Sequence, residues 1–372
     1  MRILVVNAGS SSVKLRVVGD DDEPLAGSDL PAVDADDTTA EALRTAIGDL
    51  DPVDAVGHRV VHGGLEFRDG VLVEGDVVER LEALSSLAPL HQPASVAALR
   101  LAMQCLPDVP HVACFDTAFH ASIPAAAATY ALPAAWRSRW PLRRFGFHGL
   151  SHASAARRAA QLLGRAPGDL RLVTAHLGAG ASLAAVSGGK SMDTTMGFTP
   201  LEGLVMATRS GSVDPGLLLW LQSQAGLDIA ELARGLEHEA GLLGLAGTAD
   251  MRELLAAAEA GAGAAALALE VYVHRLRGAV ASMAAAMGGL DALVFTGGVG
   301  ENAPVIRELA VRSLAFIGLE IDPGRNSQGP VDREIGRPGA PARIVVVASR
   351  EDAEIARRVR FALRPAIDAP RA

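Results

Sequence analysis

Only two cysteines, Cys105 and Cys114, occur in 372 residues, too few for a disulfide framework or a thiolate metal cluster. A reducing, cytosolic setting is the expectation that follows. Aromatic residues are scarce at 4%, and 34 Lys plus Arg face 43 Asp plus Glu, a formal charge of −9. A chain without a basic field offers no footing to nucleic acid or an anionic membrane. No apolar run reaches membrane-spanning length, because the uncharged stretch 117–136 is broken by Pro124 and Pro133 and carries His120. The GxxxxGK phosphate-loop pattern and the dinucleotide glycine fingerprint are also missing.

What is present is a 49% hydrophobic chain with 39 glycines, long enough for about two domains of roughly 150 residues. Residues 3–6 read as a buried strand, 7–12 as a polar turn and 13–18 as a return strand, so a hairpin opens the chain. An acidic stretch of loop and short helix over 20–55 leads to a strand that runs into the glycine turn ending at 64. Helical spacing follows at 76–87 and 95–105, and residues 111–115 form a strand ending on Asp116. Proline-interrupted sequence at 121–142 precedes a helix over 149–163, which places a hinge near 148–165.

The second half opens like the first. Residues 172–176, 177–180 and 181–186 again read strand, glycine turn, strand, a repeat of architecture rather than of sequence. Helices are expected at 214–222, 228–239 and 249–288, the last broken at 261–263. A strand at 291–295 feeds the glycine segment 296–302, a helix covers 304–316, and a strand at 343–347 leads to a helix over 352–362. The tail after Pro365 is expected to fray. The division is therefore 1–150 as an N-terminal α/β lobe, with the final helix of 352–372 packing back on it, and 151–351 as a C-terminal α/β lobe.

Three glycine turns, at 7–12, 177–180 and 296–300, each follow an apolar strand. Glycine there lets backbone amides approach an anion with no Cβ in the way, which together suggests a cradle for nucleotide phosphates. The i, i+4 histidine pairs His58/His62 and His148/His152 lack the glutamate of a zinc helix, so zinc is not expected.

With these segments in view the chain resembles the acetate/propionate/butyrate kinase family, within the actin, sugar kinase and Hsp70 ATPase superfamily. The matching stretches are NAGSSSVK at 7–14, GHRVVHGG at 57–64, APLH at 88–91, CFDTAFH at 114–120, FGFHG at 145–149, HLGAGAS at 176–182, DTTMGFTPLEGLVMATRSGSVDP at 193–215 and FTGGVGEN at 295–302. The long block at 193–215 is the most specific. The resemblance implies an α/β, two-lobed actin-like ATPase fold of duplicated ribonuclease H-like domains with a ligand cleft between the lobes. It implies reversible transfer of the ATP γ-phosphoryl group to acetate, giving ADP and acetyl phosphate. Acetate is already ionised near neutrality, so such a reaction needs no strong base and instead needs positive charge between two anions.

By resemblance Arg59, Arg209, His148 and Asp116 are the catalytic group, and Arg59, Val61, Leu90, Phe147 and Pro200 receive acetate. Lys14, His176, Leu177, Gly178, Ala179, Gly180, Asp250, Met251, Arg252, Gly298, Val299, Gly300, Glu301 and Asn302 match the nucleotide-binding positions. Asn7 and Glu351 match the Mg²⁺-associated pair, with Mn²⁺ as the alternative metal and Asp352 as a competitor of Glu351. A cytoplasmic homodimer, its interface in the Ala-rich helices of 255–290, and metabolic coupling to phosphate acetyltransferase are likewise implied. Two departures stand out: Ala179 replaces the asparagine of the usual HLGNG, and Ser212 replaces the aspartate of RSGDxDP. The alternatives are a propionate or other short-chain acyl kinase, and a nucleotide-driven binding or structural protein of the same fold.

Overall fold

The computed structural model describes residues 1–9, 12–31, 37–89 and 91–364. Ser10, Ser11 and Leu90, and the tail expected to fray after Pro365, lie outside them. The chain divides into two units, Met1–Ala121 with Arg350–Ala372, and Ser122–Ser349.

The first unit is built on six strands, β1 (Ile3–Ala8), β2 (Ser12–Val18), β3 (Pro24–Pro31), β4 (Ala55–Val60), β5 (Val71–Leu72) and β6 (His111–Phe115), in the order β3-β2-β1-β4-β6-β5. β1 is buried at every position, as suits a strand paired antiparallel with β2 and parallel with β4. Leu4, Val6 and Ala8 share a core with Val13, Leu15 and Val17 of β2, and with Leu43, Ile47, Ala98 and Leu101 from helices Asp37–Gly48 and Gln92–Cys105. Each such aliphatic side chain contributes about 1.5–3 kcal/mol by leaving water.

The C-terminal helix Glu351–Ala362 packs on β1, β4 and β6. Gly57 of β4 makes this approach feasible, since a Cβ there would sit 2.6 Å from Ile355 Cγ2 and 2.7 Å from Val359 Cγ2. Fully buried Glu354 accepts bonds from Arg357 Nη2 (2.9 Å) and Arg358 Nε (3.0 Å), which satisfy its charge from within the helix.

The second unit repeats this plan. Its strands β7 (Arg171–Leu177), β8 (Ala181–Ser187), β9 (Lys190–Thr194), β10 (Ala292–Thr296), β11 (Arg333–Glu334) and β12 (Arg343–Val346) lie in the order β11-β12-β10-β7-β8-β9. Read from β9, the succession of antiparallel and parallel pairings is that of the first sheet read from β3. Helix Gly149–Leu162 packs on β7 and β10, and the long helix Gly263–Ala286 packs on β7, β8 and β9. No helix among the described residues is long and apolar enough to cross a membrane.

Three expectations need adjusting. The division falls at 121/122 rather than near 148–165, because residues 122–148 bond into the second unit: Ser122 Oγ donates to Ser191 O, and Phe145 N and Gly146 N donate to Gly197 O at 3.0 and 3.2 Å. The stretch 296–302 contains a helix, Gly297–Asn302, in place of a plain turn. Gly297 opens it at φ +79°, and a Cβ there would lie 2.8 Å from Leu177 O. Strands β3, β5, β9 and β11 were not foreseen.

Gly57→Val overfills the seat of the C-terminal helix. Urea unfolding is expected to show a loss of about 1–3 kcal/mol, recovered in part by adding Val359→Ala, which vacates the space.

Candidate active site

In the first unit the polar groups gather where β1, β4 and β6 end. Arg59 is the fifth residue of β4, and Asp116 follows β6, its N–H donating to Val60 O at 3.1 Å. The Arg59 guanidinium donates to Asp116 from Nε (3.1 and 3.2 Å) and from Nη2 (2.7 Å), and to Asn7 Oδ1 from Nη1 (3.1 Å). Among the described residues these bonds leave one hydrogen on each terminal nitrogen for an incoming anion. Asn7 Nδ2 donates to Glu351 Oε2 at 3.3 Å. Lys14 is the cross-strand partner of Asn7 and is exposed.

Burial works against the Arg59 cation, but Asp116 and then Glu351 hold its pKa above the ordinary value. Burial also pushes the Asp116 carboxyl up, with Arg59 pulling the other way. Burial and then Glu351 raise Asp352, against Arg16, an Asn7 hydrogen bond and Lys14. Asp352 Oδ1 is buried and finds no partner among the described residues. Arg59 thus sits among three carboxylates, with Arg16 and Lys14 also acting on Asp352.

In the second unit His148 stands at φ +56°, left-handed, immediately before helix Gly149–Leu162. Its Nδ1 shares a hydrogen bond with Ser182 Oγ (2.9 Å), which shares another with His152 Nε2 (2.8 Å). The ring lies 4.4 Å from that of His176, whose Nδ1 shares a 2.7 Å bond with Ser151 Oγ. The arrangement turns the far side of His148 toward Gly180: a Cβ on Gly180 would meet His148 Nε2 at 3.2 Å and Arg209 Nη1 at 3.8 Å. Imidazole and guanidinium therefore converge over the glycine turn that follows Leu177.

Arg209 rides on a loop fixed by backbone bonds from Ala207 N to Ala179 O (3.1 Å) and from Ala240 N to Thr208 O (3.1 Å). Its Nη1 donates to Pro200 O at 3.5 Å. Burial draws its pKa down, and Glu237 opposes the shift. On the other side of the turn, a Cβ on Gly178 would lie 4.0 Å from Gly298 N, so Gly178 and the helix Gly297–Asn302 are neighbours.

Glu301 Oε1 accepts Gly297 N (3.0 Å) and Ser349 N (2.8 Å), and Asn302 Nδ2 donates to Gly298 O (2.9 Å). Both side chains are thus spent on holding the segment, while the backbone of Gly298, Val299 and Gly300 carries its start. Asp250 caps helix Met251–Glu259 by accepting Arg252 N (2.8 Å), and Arg252 Nη2 returns to it at 2.5 Å. Phe147 and Val61 are buried, each in its own unit, Pro200 is half-buried, and Leu90 lies outside the described residues.

The model of the Acetokinase family matches residues 32–357. The chain belongs to the acetokinase family. It is 50% identical over 305 residues to an acetate kinase of Synechococcus sp., covering 82% of this chain and 75% of that one. It superposes on the crystal structure of Porphyromonas gingivalis acetate kinase with a TM-score of 0.89 at 35% identity, covering 98% and 100%. A propionate kinase from Francisella tularensis gives 0.87 at 37% identity, covering 96% and 98%.

Within this chain the two departures from the family pattern have local explanations. Ala179 serves through its carbonyl, the acceptor for Ala207 N. Ser212 uses its hydroxyl to accept Gly203 N at 3.1 Å and its own N–H to reach Gly203 O at 2.9 Å. Missed from the sequence were the supports. Ser182 lies inside a quoted motif, but its link to His148 crosses 34 residues. Arg307 is 1% exposed and donates to Gly300 O and Glu301 O, both at 2.8 Å, closing the helix Gly297–Asn302. Burial draws this arginine down to about 10, and no periodicity marks it.

Beside Arg59, His58 Nε2 meets His111 Nδ1 at 2.9 Å, and His111 Nε2 meets Leu106 O at 2.9 Å. A carbonyl only accepts, so protons point from His58 through His111 to Leu106, and both rings are neutral. Burial holds His58 well below the ordinary range, lowers His111, and takes His62 to about 4. The unfolded chain binds protons on these rings below about pH 6.5 and the folded chain does not. Their contribution is complete above that pH and is lost as pH falls toward the folded values. Unfolding free energy is expected to decline between pH 6.5 and 5, by at most about 1.4 kcal/mol per pH unit per ring, and less steeply in a His58→Asn, His111→Asn double variant.

Proposed function

We propose that this chain catalyses reversible transfer of the γ-phosphoryl group of ATP to the carboxylate of acetate, giving acetyl phosphate and ADP. A carboxylate oxygen forms the new bond to phosphorus, the bond from phosphorus to the ADP oxygen breaks, and no proton need move. The observation that carries the reading is the convergence of His148 Nε2 and Arg209 Nη1 over Gly180. Donors fixed in advance stabilise charge on a transferring phosphoryl group at little reorganisation cost.

The second unit supplies His148 and Arg209 to that group, and the backbone of Leu177, Gly178, Ala179, Gly180, Gly298, Val299 and Gly300 to the nucleotide, with His176 beside them. Glu301 and Asn302 keep that backbone in place. Asp250, Met251 and Arg252 serve the adenosine end. The first unit supplies Arg59 to acetate, its plane set by Asp116, and Lys14 to the phosphates. Val61, Leu90, Phe147 and Pro200 are the apolar residues for the methyl group.

Among the described residues no three His, Cys, Asp or Glu side chains are grouped to hold a metal ion. Mg²⁺ nonetheless suits this chain, because it keeps most of its waters and asks for few protein oxygens. The carboxylates of Asp116 and Asp352, both raised by burial, and the orphaned Asp352 Oδ1 supply the charge it would meet. Asn7 and Glu351 would hold it through water, and bound there it would neutralise phosphate charge.

Propionate is the second reading, favoured by the similarity to a solved propionate kinase. One extra methylene changes selectivity by about 1–3 kcal/mol, so both acids are expected to react. A cytoplasmic setting and coupling to phosphate acetyltransferase complete the proposal. The homodimer is assigned to helices Pro215–Ser223 and Ile229–His238, which bury no residue and expose Leu219 (67%), Trp220 (56%) and Ile229 (74%). Helix Gly263–Ala286 fits that role less well, since its stripe from Ala265 to Met283 is core.

Incubation with ATP, Mg²⁺ and acetate should yield an acyl phosphate that hydroxylamine traps. Arg209→Ala should lower kcat by about 10²-fold or more with nucleotide affinity kept. No adduct above the enzyme-free rate, with nucleotide bound, defeats the reading. Light scattering should report a dimer for the parent protein and a monomer for Trp220→Glu with Ile229→Glu.

A further inference from the structure

Behind the cluster of His148 and Arg209, one carboxylate is bonded on both oxygens by residues from a distant stretch of chain. Glu202 Oε2 accepts Tyr130 Oη at 2.5 Å, and Glu202 Oε1 accepts Arg144 Nη2 at 2.7 Å. Arg144 also donates from Nη1 to the carbonyls of Thr194 (3.0 Å), Thr195 (3.2 Å) and Met196 (3.0 Å). Tyr130 Oη accepts Phe198 N at 2.9 Å, and the Arg144 guanidinium lies 5.7 Å from the Tyr130 ring centre. A Cβ on Gly197 would collide with Glu202 Oε2 and Tyr130 Oη, so glycine is what lets the phenol and carboxylate meet.

Two functional segments leave this knot. One runs from Arg144 through Phe145 and Gly146, whose N–H groups donate to Gly197 O, to His148. The other runs from Glu202 through Gly203, which exchanges two bonds with Ser212, and encloses Arg209. A shift of about 1 Å in such a group can cost about 10²-fold in rate.

We propose that Glu202, held by Tyr130 and Arg144, is a positioning residue that couples the His148 segment to the Arg209 loop and so fixes the spacing of the two donors. The proposal rests on the phosphoryl-transfer reading. A carboxylate is required because it accepts on both oxygens. A glutamine would turn an N–H₂ group toward Arg144, donor against donor, or toward the phenol, which would then have to stop donating and accept a second bond beside that from Phe198 N. Tyr130 remains a donor at working pH, since burial and then Glu202 push its phenol above the ordinary value.

The test compares the parent with Glu202→Gln and the isosteric Tyr130→Phe, reading nucleotide Kd, kcat per folded molecule and amide exchange by mass spectrometry. Nucleotide Kd is expected to stay within about twofold while kcat falls at least about tenfold in both variants. Exchange should quicken together in peptides covering 145–148 and 203–212, although neither contains residue 130 and only one contains a neighbour of residue 202. A kcat within twofold of the parent, or exchange that quickens only over 198–204, overturns the proposal. Coupled exchange in a parent protein that phosphorylates no acid would leave the brace standing and refute the phosphoryl-transfer reading, so the two failures are separable.

Discussion

Two backbones that must approach more closely than any side chain allows set the rest of this structure. At Gly57 the C-terminal helix comes down onto β4 at a distance that a methyl group would block, and that contact brings Glu351 within hydrogen-bonding reach of Asn7. At Gly180 the missing side chain is the space toward which His148 Nε2 and Arg209 Nη1 point. In each unit the chemistry begins where a Cβ is absent. The packing and the polar groups are therefore one problem: a residue that filled either gap would disturb the polar contacts and the packing together.

The electrostatics of the two clusters differ in kind. Around Arg59 stand the carboxylates of Asp116, Glu351 and Asp352, with Arg16 and Lys14 also acting on Asp352, and burial penalises the charged forms of Asp116 and Asp352. An added positive charge relieves that cluster. His148 shares a hydrogen bond with the Ser182 hydroxyl and lies against the His176 ring, and the Arg209 cation, on which Glu237 acts, stands alongside, a set of donors that an added negative charge would engage. Transfer of a phosphoryl group to a carboxylate makes both demands at once, because its reactants repel each other and its metal must be attracted. The buried neutral pair His58 and His111 adds no positive charge beside Arg59, which is ion-paired with Asp116.

Much of the frame was legible in the sequence, and for definite reasons. The strand at His111–Phe115, buried throughout, reads as an unbroken apolar run, and the openings of both halves alternate strand, polar or glycine turn, and strand. Strands β3 and β9 were missed because they are edge or near-edge segments with exposed and charged residues such as Asp29 and Lys190. The Gly297–Asn302 helix was missed because glycine-rich sequence argues for a turn, whereas the Arg307 guanidinium that closes it comes from beyond the segment. In the same way the catalytic candidates were readable as motifs, while Ser182, Tyr130, Arg144 and Glu202 acquire meaning only through bonds that span from 34 to 72 residues.

The duplicated sheet order explains why two clusters of such different chemistry share one plan. β1 and β7 occupy the same place in their sheets, as do β4 and β10, and β6 and β12. Groups at the carboxyl ends of parallel strands face outward past the sheet, which is where open α/β sheets offer a site. In the first unit those ends carry side chains, Asn7 in β1, Arg59 in β4 and Asp116 after β6. In the second unit the equivalent ends carry His176 and the turn at Gly178, then Gly297, then Ser349, and the backbone N–H groups of Gly297 and Ser349 are both gathered by Glu301. The fold fixes where a ligand can be met, and the residue at each strand end decides whether it is met by a charged side chain or by bare backbone. A cluster of charged side chains and a glycine-lined one are accordingly two fillings of one repeated frame.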